Sequence, residues 1–148
     1  MLLSRVVEVS DRVAQTAKRL EKIDLIRTLL RQATPEEVEI VVAFLSGSTR
    51  QGRVGIGYAL LREVSSTPAA ETASLDIRDV EHTLEEFGTI QGRGSAAAKR
   101  DVLRGLFARA IPTEQRFLIG LLSGELRQGA LEGIMLDAIA KAAGIWPC

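Results

Sequence analysis

An all-α domain built from two related helical halves is what this sequence predicts. Apolar residues recur at three- and four-residue spacing through almost every segment, and no stretch alternates apolar and polar residues long enough to make a strand. Residues 22–52 also recur 77 positions later as residues 99–129, with thirteen of thirty-one aligned positions identical. The densest shared string is Leu-Ser-Gly-x-x-Arg-Gln-Gly, at 45–52 and again at 122–129.

The elements follow in order. Residues 6–13 suit a short first helix, and Thr16 offers an N-cap for a second whose inner stripe is Leu20, Ile23, Ile26, Leu29 and Leu30. Thr34-Pro35-Glu36-Glu37 places a cap residue, a proline at the first helical position and acids in the first turn, where backbone amides lack partners. A third helix is therefore expected from Pro35 until Gly47 stops it, with Val38, Val41, Val42 and Leu45 inward. A fourth is expected near 56–64, followed by a small-residue connector at 65–70. Asp76 can cap a helix with Ile77, Val80, Leu84 and Phe87 inward and Gly88 as its terminator. After the loop at 89–94, Ser95 opens the counterpart of the second helix. Pro112-Thr113-Glu114 opens the counterpart of the third, Gly124 closes it, and a last helix covers 131–143. The repeat thus spans 22–64 and 99–143. Stacked about a pseudo-twofold axis, the halves would set their two turns on a common side.

A chain of 148 residues with 46% hydrophobic and 26% charged residues is globular in composition and long enough for one domain with a real core. Cys148 is the sole cysteine, so these residues form no internal disulfide, and a reducing cytoplasm is expected. No apolar run reaches bilayer-spanning length, and no membrane partner is expected. Net charge is zero, yet residues 71–87 carry −5 (six acids, one Arg) and residues 93–109 carry +4 (five bases, one Asp).

The repeated turn is the candidate site. Glycines open the backbone to an anion, the amides of a turn beside a helix end can cradle a phosphate, and arginine adds charge-assisted hydrogen bonds. In the first copy the candidates are Ser46, Gly47, Arg50, Gln51, Gly52, Arg53, Gly55 and Gly57. In the second they are Arg127, Gln128, Gly129 and Gly133, and Lys99 and Arg100 on the preceding helix extend the set. The plainer reading makes the glycines C-caps and lets the arginines cover helix ends. Two like sites in one small domain suit a ligand that is itself a repeating polyanion, such as duplex DNA.

Signals for covalent chemistry are absent from the pattern. His82 is the only histidine and lies among Glu81 and Glu85, without the second imidazole or thiol that a zinc site needs. Gly52-x-x-Gly55-x-Gly57 and Gly92-x-Gly94 do not follow a predicted strand, the context a nucleotide-binding glycine loop requires.

The turns and their flanks resemble the N-terminal DNA-binding domain of ATP-dependent DNA ligases, in particular bacterial ligases that share the three-domain plan of archaeal and eukaryotic enzymes. Leu20-Glu21-Lys22-Ile23-Asp24-Leu25-Ile26, Phe44-Leu45-Ser46-Gly47 with Gly55-Ile56-Gly57, and Gly124-Glu125-Leu126-Arg127-Gln128-Gly129-Ala130-Leu131-Glu132-Gly133 carry the resemblance. It implies an all-helical domain that docks on the minor groove of nicked duplex DNA through phosphate contacts of little sequence preference, in replication, repair or recombination. Carried over by position, the contacts centre on 46–57 and 125–133, with Arg50, Arg53 and Arg127 foremost. The implied partners are the catalytic nucleotidyltransferase and OB-fold domains of the same ligase, with ATP and Mg as cofactors of the full-length enzyme and none in this chain. A nucleoid location in a bacterial cytoplasm follows.

The family's Lys-x-Asp-Gly is missing, since Lys22-Ile23-Asp24-Leu25 and Lys99-Arg100-Asp101-Val102 both lack the glycine. The chain is expected to be truncated at its C-terminus, leaving apolar surface near Ile134, Ile139 and Ile145. A helical-repeat module that binds protein, without DNA binding, is the other reading the duplication allows.

Overall fold

The computed structural model describes residues 1–49, 56–126 and 132–144. Among them run α1 (Leu3–Gln15), α2 (Arg19–Gln32), α3 (Pro35–Leu45), α4 (Tyr58–Val64), α5 (Ile77–Thr89), α6 (Ser95–Ala108), α7 (Pro112–Ser123) and α8 (Glu132–Ala142). The described residues hold no strand, only an isolated antiparallel bridge between Leu2 and Asp76. The domain is all-α.

Local chemistry sets most helix starts. Thr34 and Glu37 form a reciprocal capping box: the Glu37 amide donates to Thr34 Oγ1 at 3.3 Å, and the Thr34 amide donates to Glu37 Oε1 at 2.9 Å. Asp76 and Asp79 cap α5 in the same manner. In α7 only the acid's half of the box survives, because Ile111 offers no side-chain acceptor; its amide donates to Glu114 Oε1 at 2.9 Å.

Several expectations are corrected. Thr16 does not cap α2, whose N-cap is Lys18 without a side-chain hydrogen bond; Thr16 Oγ1 donates to Glu21 Oε2 and accepts from the Lys18 amide instead. Leu20 is 72% exposed. At 100° per residue it lies roughly 110° from the centre of the stripe formed by Ile23, Ile26, Leu29 and Leu30. The inner face of α3 is Ile40, Val41, Phe44 and Leu45, with Val38 and Val42 half-buried at its edge. Gly88 lies inside α5, which runs on to Thr89. The first helix starts earlier than its apolar stripe suggests, because the Leu3 amide donates to the Leu75 carbonyl and the Ile77 amide to that of Met1. Ile134 is buried; Leu136 is the exposed apolar residue of α8, and Ile145 lies outside the described residues.

Packing joins the two halves by exchange. Helix α1 packs on α7 and α3 on α5, while α2 packs on α8 and α4 on α6, so these four pairings form two couples with the roles reversed; α4 also packs on α7. Phe44 and Phe117 meet where α3 faces α7, with ring centroids 6.3 Å apart. The connector is pinned to the second half: the Ala70 amide donates to the Ala110 carbonyl, and Gln115 Nε2 to those of Thr67 and Phe107. Arg19 pairs with Asp137 at 2.6 Å across α2 and α8.

The identical positions Glu37 and Glu114 are both buried, at 5% and 0% exposure, and both reach toward the first residues of the chain. With one oxygen on its own helix cap, Glu37 gives the other to the Met1 ammonium, which also pairs with Asp76 at 3.0 Å. The hydrogen bond from that ammonium, then that from the Thr34 amide, hold the Glu37 carboxyl down to about 2 from an ordinary 4.5. Burial pulls the ammonium down, but its two carboxylates outweigh this and hold it above its usual value; the two shifts describe one interaction and count once. Burial pushes Glu114 up against the opposing pull of the Ile111 and Ser4 amides. Its Oε2 is buried without a hydrogen bond of good geometry, so the Ser4 amide at the start of α1 favours its charge only from nearby.

Two outcomes are expected. At pH 7, Glu37→Gln should lower urea-unfolding stability by on the order of 3 kcal/mol. Because the folded carboxyl has the lower pKa, this contribution is complete above about pH 4.5 and vanishes as the pH falls toward 2, where variant and wild type should converge. A fragment ending at residue 70 removes the helices that cover α1, α2 and α3, so its far-ultraviolet circular dichroism should be that of an unfolded chain.

Candidate nucleic-acid interface

Both repeated turns begin with the same helix-ending hydrogen bonds. After α3, Gly47 sits at φ +80°; its amide donates to the Phe44 carbonyl at 3.1 Å and the Ser48 amide to that of Ala43 at 2.9 Å. After α7, Gly124 sits at φ +78°; its amide donates to Leu121 at 3.4 Å and the Glu125 amide to Gly120 at 3.0 Å. Each is a Schellman closure, in which glycine takes the left-handed conformation that other residues resist.

This accounts for the retention of both glycines. It also commits the amides of Gly47, Ser48, Gly124 and Glu125 to helix carbonyls, and the Ser46 amide donates to Val42. A phosphate beside Ser46 and Gly47 would therefore meet the exposed Ser46 hydroxyl rather than a cradle of free amides.

The two turns adjoin. A Cβ placed on Gly47 would stand 3.2 Å from the Leu126 carbonyl oxygen. Leu126 also folds back over α7, where a Cβ on Gly120 would lie 3.1 Å from its Cδ1, so the bulk of one residue requires the absence of bulk in the other. Tyr58, Leu61, Arg62 and Ser65 of α4 and its end line a groove of about 230 Å³ with Ile119, Ser123 and Glu125 from α7 and the second turn.

Of the residues singled out from sequence, Ser46 and Gly57 are exposed beside the first turn, Gly47 is half-buried, and Gly133 is exposed in the first turn of α8. Arg50, Gln51, Gly52, Arg53 and Gly55, and likewise Arg127, Gln128 and Gly129, lie outside the described residues. Gly57 is the N-cap of α4.

Lys99 and Arg100 hold positions within the fold. The Lys99 ammonium lies 5.2 Å from the centroid of the Phe87 ring, joining α6 to α5. Arg100 and Arg104 both approach Glu63 of α4, at 2.9 and 3.6 Å, and Arg109 reaches Asp79 at 3.1 Å. Much of the basic run thus answers carboxylates of the chain itself. Tyr58 and Arg62 were not singled out from sequence; the available signal was an aromatic residue directly after the glycine-rich turn, off the Leu61–Val64 stripe of α4.

The family model described as DNA ligase N terminus matches residues 57–140. The chain belongs to that family. This ligase N-terminal domain is 47% identical over 145 residues to a probable DNA ligase of Rhodococcus jostii (strain RHA1), covering 98% of this chain and 29% of the relative. It is 48% identical over 147 residues to a probable DNA ligase of Mycobacterium marinum, covering 98% of this chain and 28% of that one. A probable DNA ligase of Anaeromyxobacter sp. (strain K) matches at 44% over 147 residues, covering 98% and 29%. The chain spans less than a third of the length of these relatives. The matched segment carries the second turn and all of α4 to α7, and no helix among the described residues is long and apolar enough to cross a membrane.

The caps separate two glycines that sequence alone treats as equals. Gly47→Ala meets both a left-handed backbone and the Leu126 carbonyl, whereas Gly124→Ala meets no described atom within 4 Å and pays for the backbone alone. Urea unfolding should show a loss of about 2 to 3 kcal/mol for the first and about 1 kcal/mol for the second.

Proposed function

We propose that this chain is the DNA-gripping domain of an ATP-dependent DNA ligase, and that it holds duplex DNA on either side of a nick through its two repeated turns. The observation that carries this reading is the contact between Gly47 and Leu126, which brings the onsets of both turns to one place on the surface. A single strand of DNA presents a phosphate about every 3.4 Å along its axis, so adjoining cationic turns can engage neighbouring positions of one duplex.

Helix dipoles make the arginines necessary. Both turns leave the C-terminal ends of helices, α3 and α7, where partial negative charge repels phosphate. Arg50, Arg53 and Arg127 reverse that sign, and their guanidinium groups donate in pairs to phosphate oxygens. Gln51 and Gln128 add neutral donors, and Gly52, Gly55 and Gly129 leave room for the backbone of the ligand. Contacts to phosphate carry no base identity, so binding of this kind is independent of sequence.

Adenylation and strand joining belong to a nucleotidyltransferase domain with its own lysine, ATP and Mg, and to an OB-fold. This domain supplies grip and orientation to them, in the bacterial cytoplasm where its DNA lies.

Fluorescence anisotropy with a labelled nicked duplex at several salt concentrations tests the assignment. Affinity should fall with salt at a log–log slope of about −3.6 if four phosphates are neutralised. Replacing Arg50 and Arg127 together by Gln should weaken binding to all sequences and flatten the slope by about 2 while helicity is unchanged. Wild-type affinity in that double variant would remove the turns from the interface.

A further inference from the structure

Tyr58 is 77% exposed and shares a groove with Ser123 and Glu125 at the start of the second turn. Helix α4 anchors itself through Leu61 and Val64, both buried. The Tyr58 ring instead forms one wall of the groove whose other lining comes from Ile119, Ser123 and Glu125.

Arg62, one helical turn after Tyr58, is exposed on the same groove, and its guanidinium makes no ion pair or hydrogen bond among the described residues. Its neighbour Glu63 is already engaged by Arg100 and Arg104. Among the described residues the groove therefore presents an aromatic face and an uncommitted guanidinium side by side, with Glu125 as the sole carboxylate lining it.

We infer that Tyr58 and Arg62 form a third DNA contact between the turns, the ring lying against a deoxyribose and the guanidinium on the adjoining phosphate. This rests on the proposed function and extends it from the turns to α4. A sugar offers an apolar face whatever its base, which suits an aromatic ring in an interface that does not read sequence, and the next phosphate of that strand suits Arg62. Glu125 repels phosphate from the facing wall and so confines the strand to the α4 side.

Tyr58 is the only tyrosine of the chain, which allows a direct test. Nitration of the 148-residue chain by tetranitromethane should slow several-fold when a saturating nicked duplex is added. In anisotropy titrations Tyr58→Ala should weaken binding about fivefold or more with the salt slope unchanged, because the lost contact is not ionic. Tyr58→Phe should stay near wild type. Arg62→Gln should weaken binding and lower the magnitude of the slope by about 1.

Unchanged nitration with bound DNA, or full affinity in Tyr58→Ala with normal helicity, overturns this contact. If wild type binds and the Arg50/Arg127 double variant does not, those results would leave the turn assignment standing. If wild type fails to bind duplex at all, the proposed function itself falls. Nitration that slows with protein concentration in the absence of DNA would assign the groove to a second copy of the chain and overturn the contact as well.

Discussion

Two buried carboxylates hold this fold in register. A glutamate at the third position of each proline-started helix, Glu37 in α3 and Glu114 in α7, caps its own helix with one oxygen and turns the other toward the first four residues of the chain. Buried charge is costly unless it is met by donors, so the chain start must lie where both acids can be answered. Placement of α1 between α3 and α7 follows, and with it the ends of those two helices, from which both turns emerge. The acids differ in how well they are satisfied. Glu37 has a full positive charge and sits far below the ordinary carboxylate range, whereas Glu114 has amides alone and is pushed above it.

The turns carry a structural requirement that is visible without any ligand. Gly47 and Gly124 close their helices in the left-handed conformation, and this alone explains why both copies keep them. The Arg-Gln pairs at 50–51 and 127–128 recur as well, three positions beyond each capping glycine. Glycine retention is thus about helix termination, and the proposed DNA contact rests on the retained arginines instead.

Charge along the chain is not charge on the surface. The acidic and basic runs fall on α5 and α6, which pack together, and ion pairs to Asp79 and Glu63 with the Lys99–Phe87 contact draw most of the basic run inward. Such partly exposed pairs add little stability. Their consequence is spatial, since they tie these cations to the chain's own acids, whereas the Arg62 guanidinium on α4 has no such partner among the described residues.

Helix number, helix type and most boundaries were legible in the residues alone, because caps, first-turn prolines and left-handed glycines act over three or four positions. Thr34-Pro35, Asp76 and Gly124 each stop or start a helix by hydrogen bonds to their own neighbours, and a duplicated string needs no coordinates to be seen. What those local rules leave open is rotation about each helix axis and the choice of partner. Leu20 faces solvent and Glu114 the interior against simple hydropathy, and α4 and α8 pack across to the opposite halves, because these outcomes depend on contacts some forty to more than a hundred residues apart. The approach of Gly47 to Leu126, and the groove at Tyr58 beside it, exist only once that exchange has taken place. Local hydrogen bonding determined the elements of this protein, and nonlocal burial decided which surfaces they share.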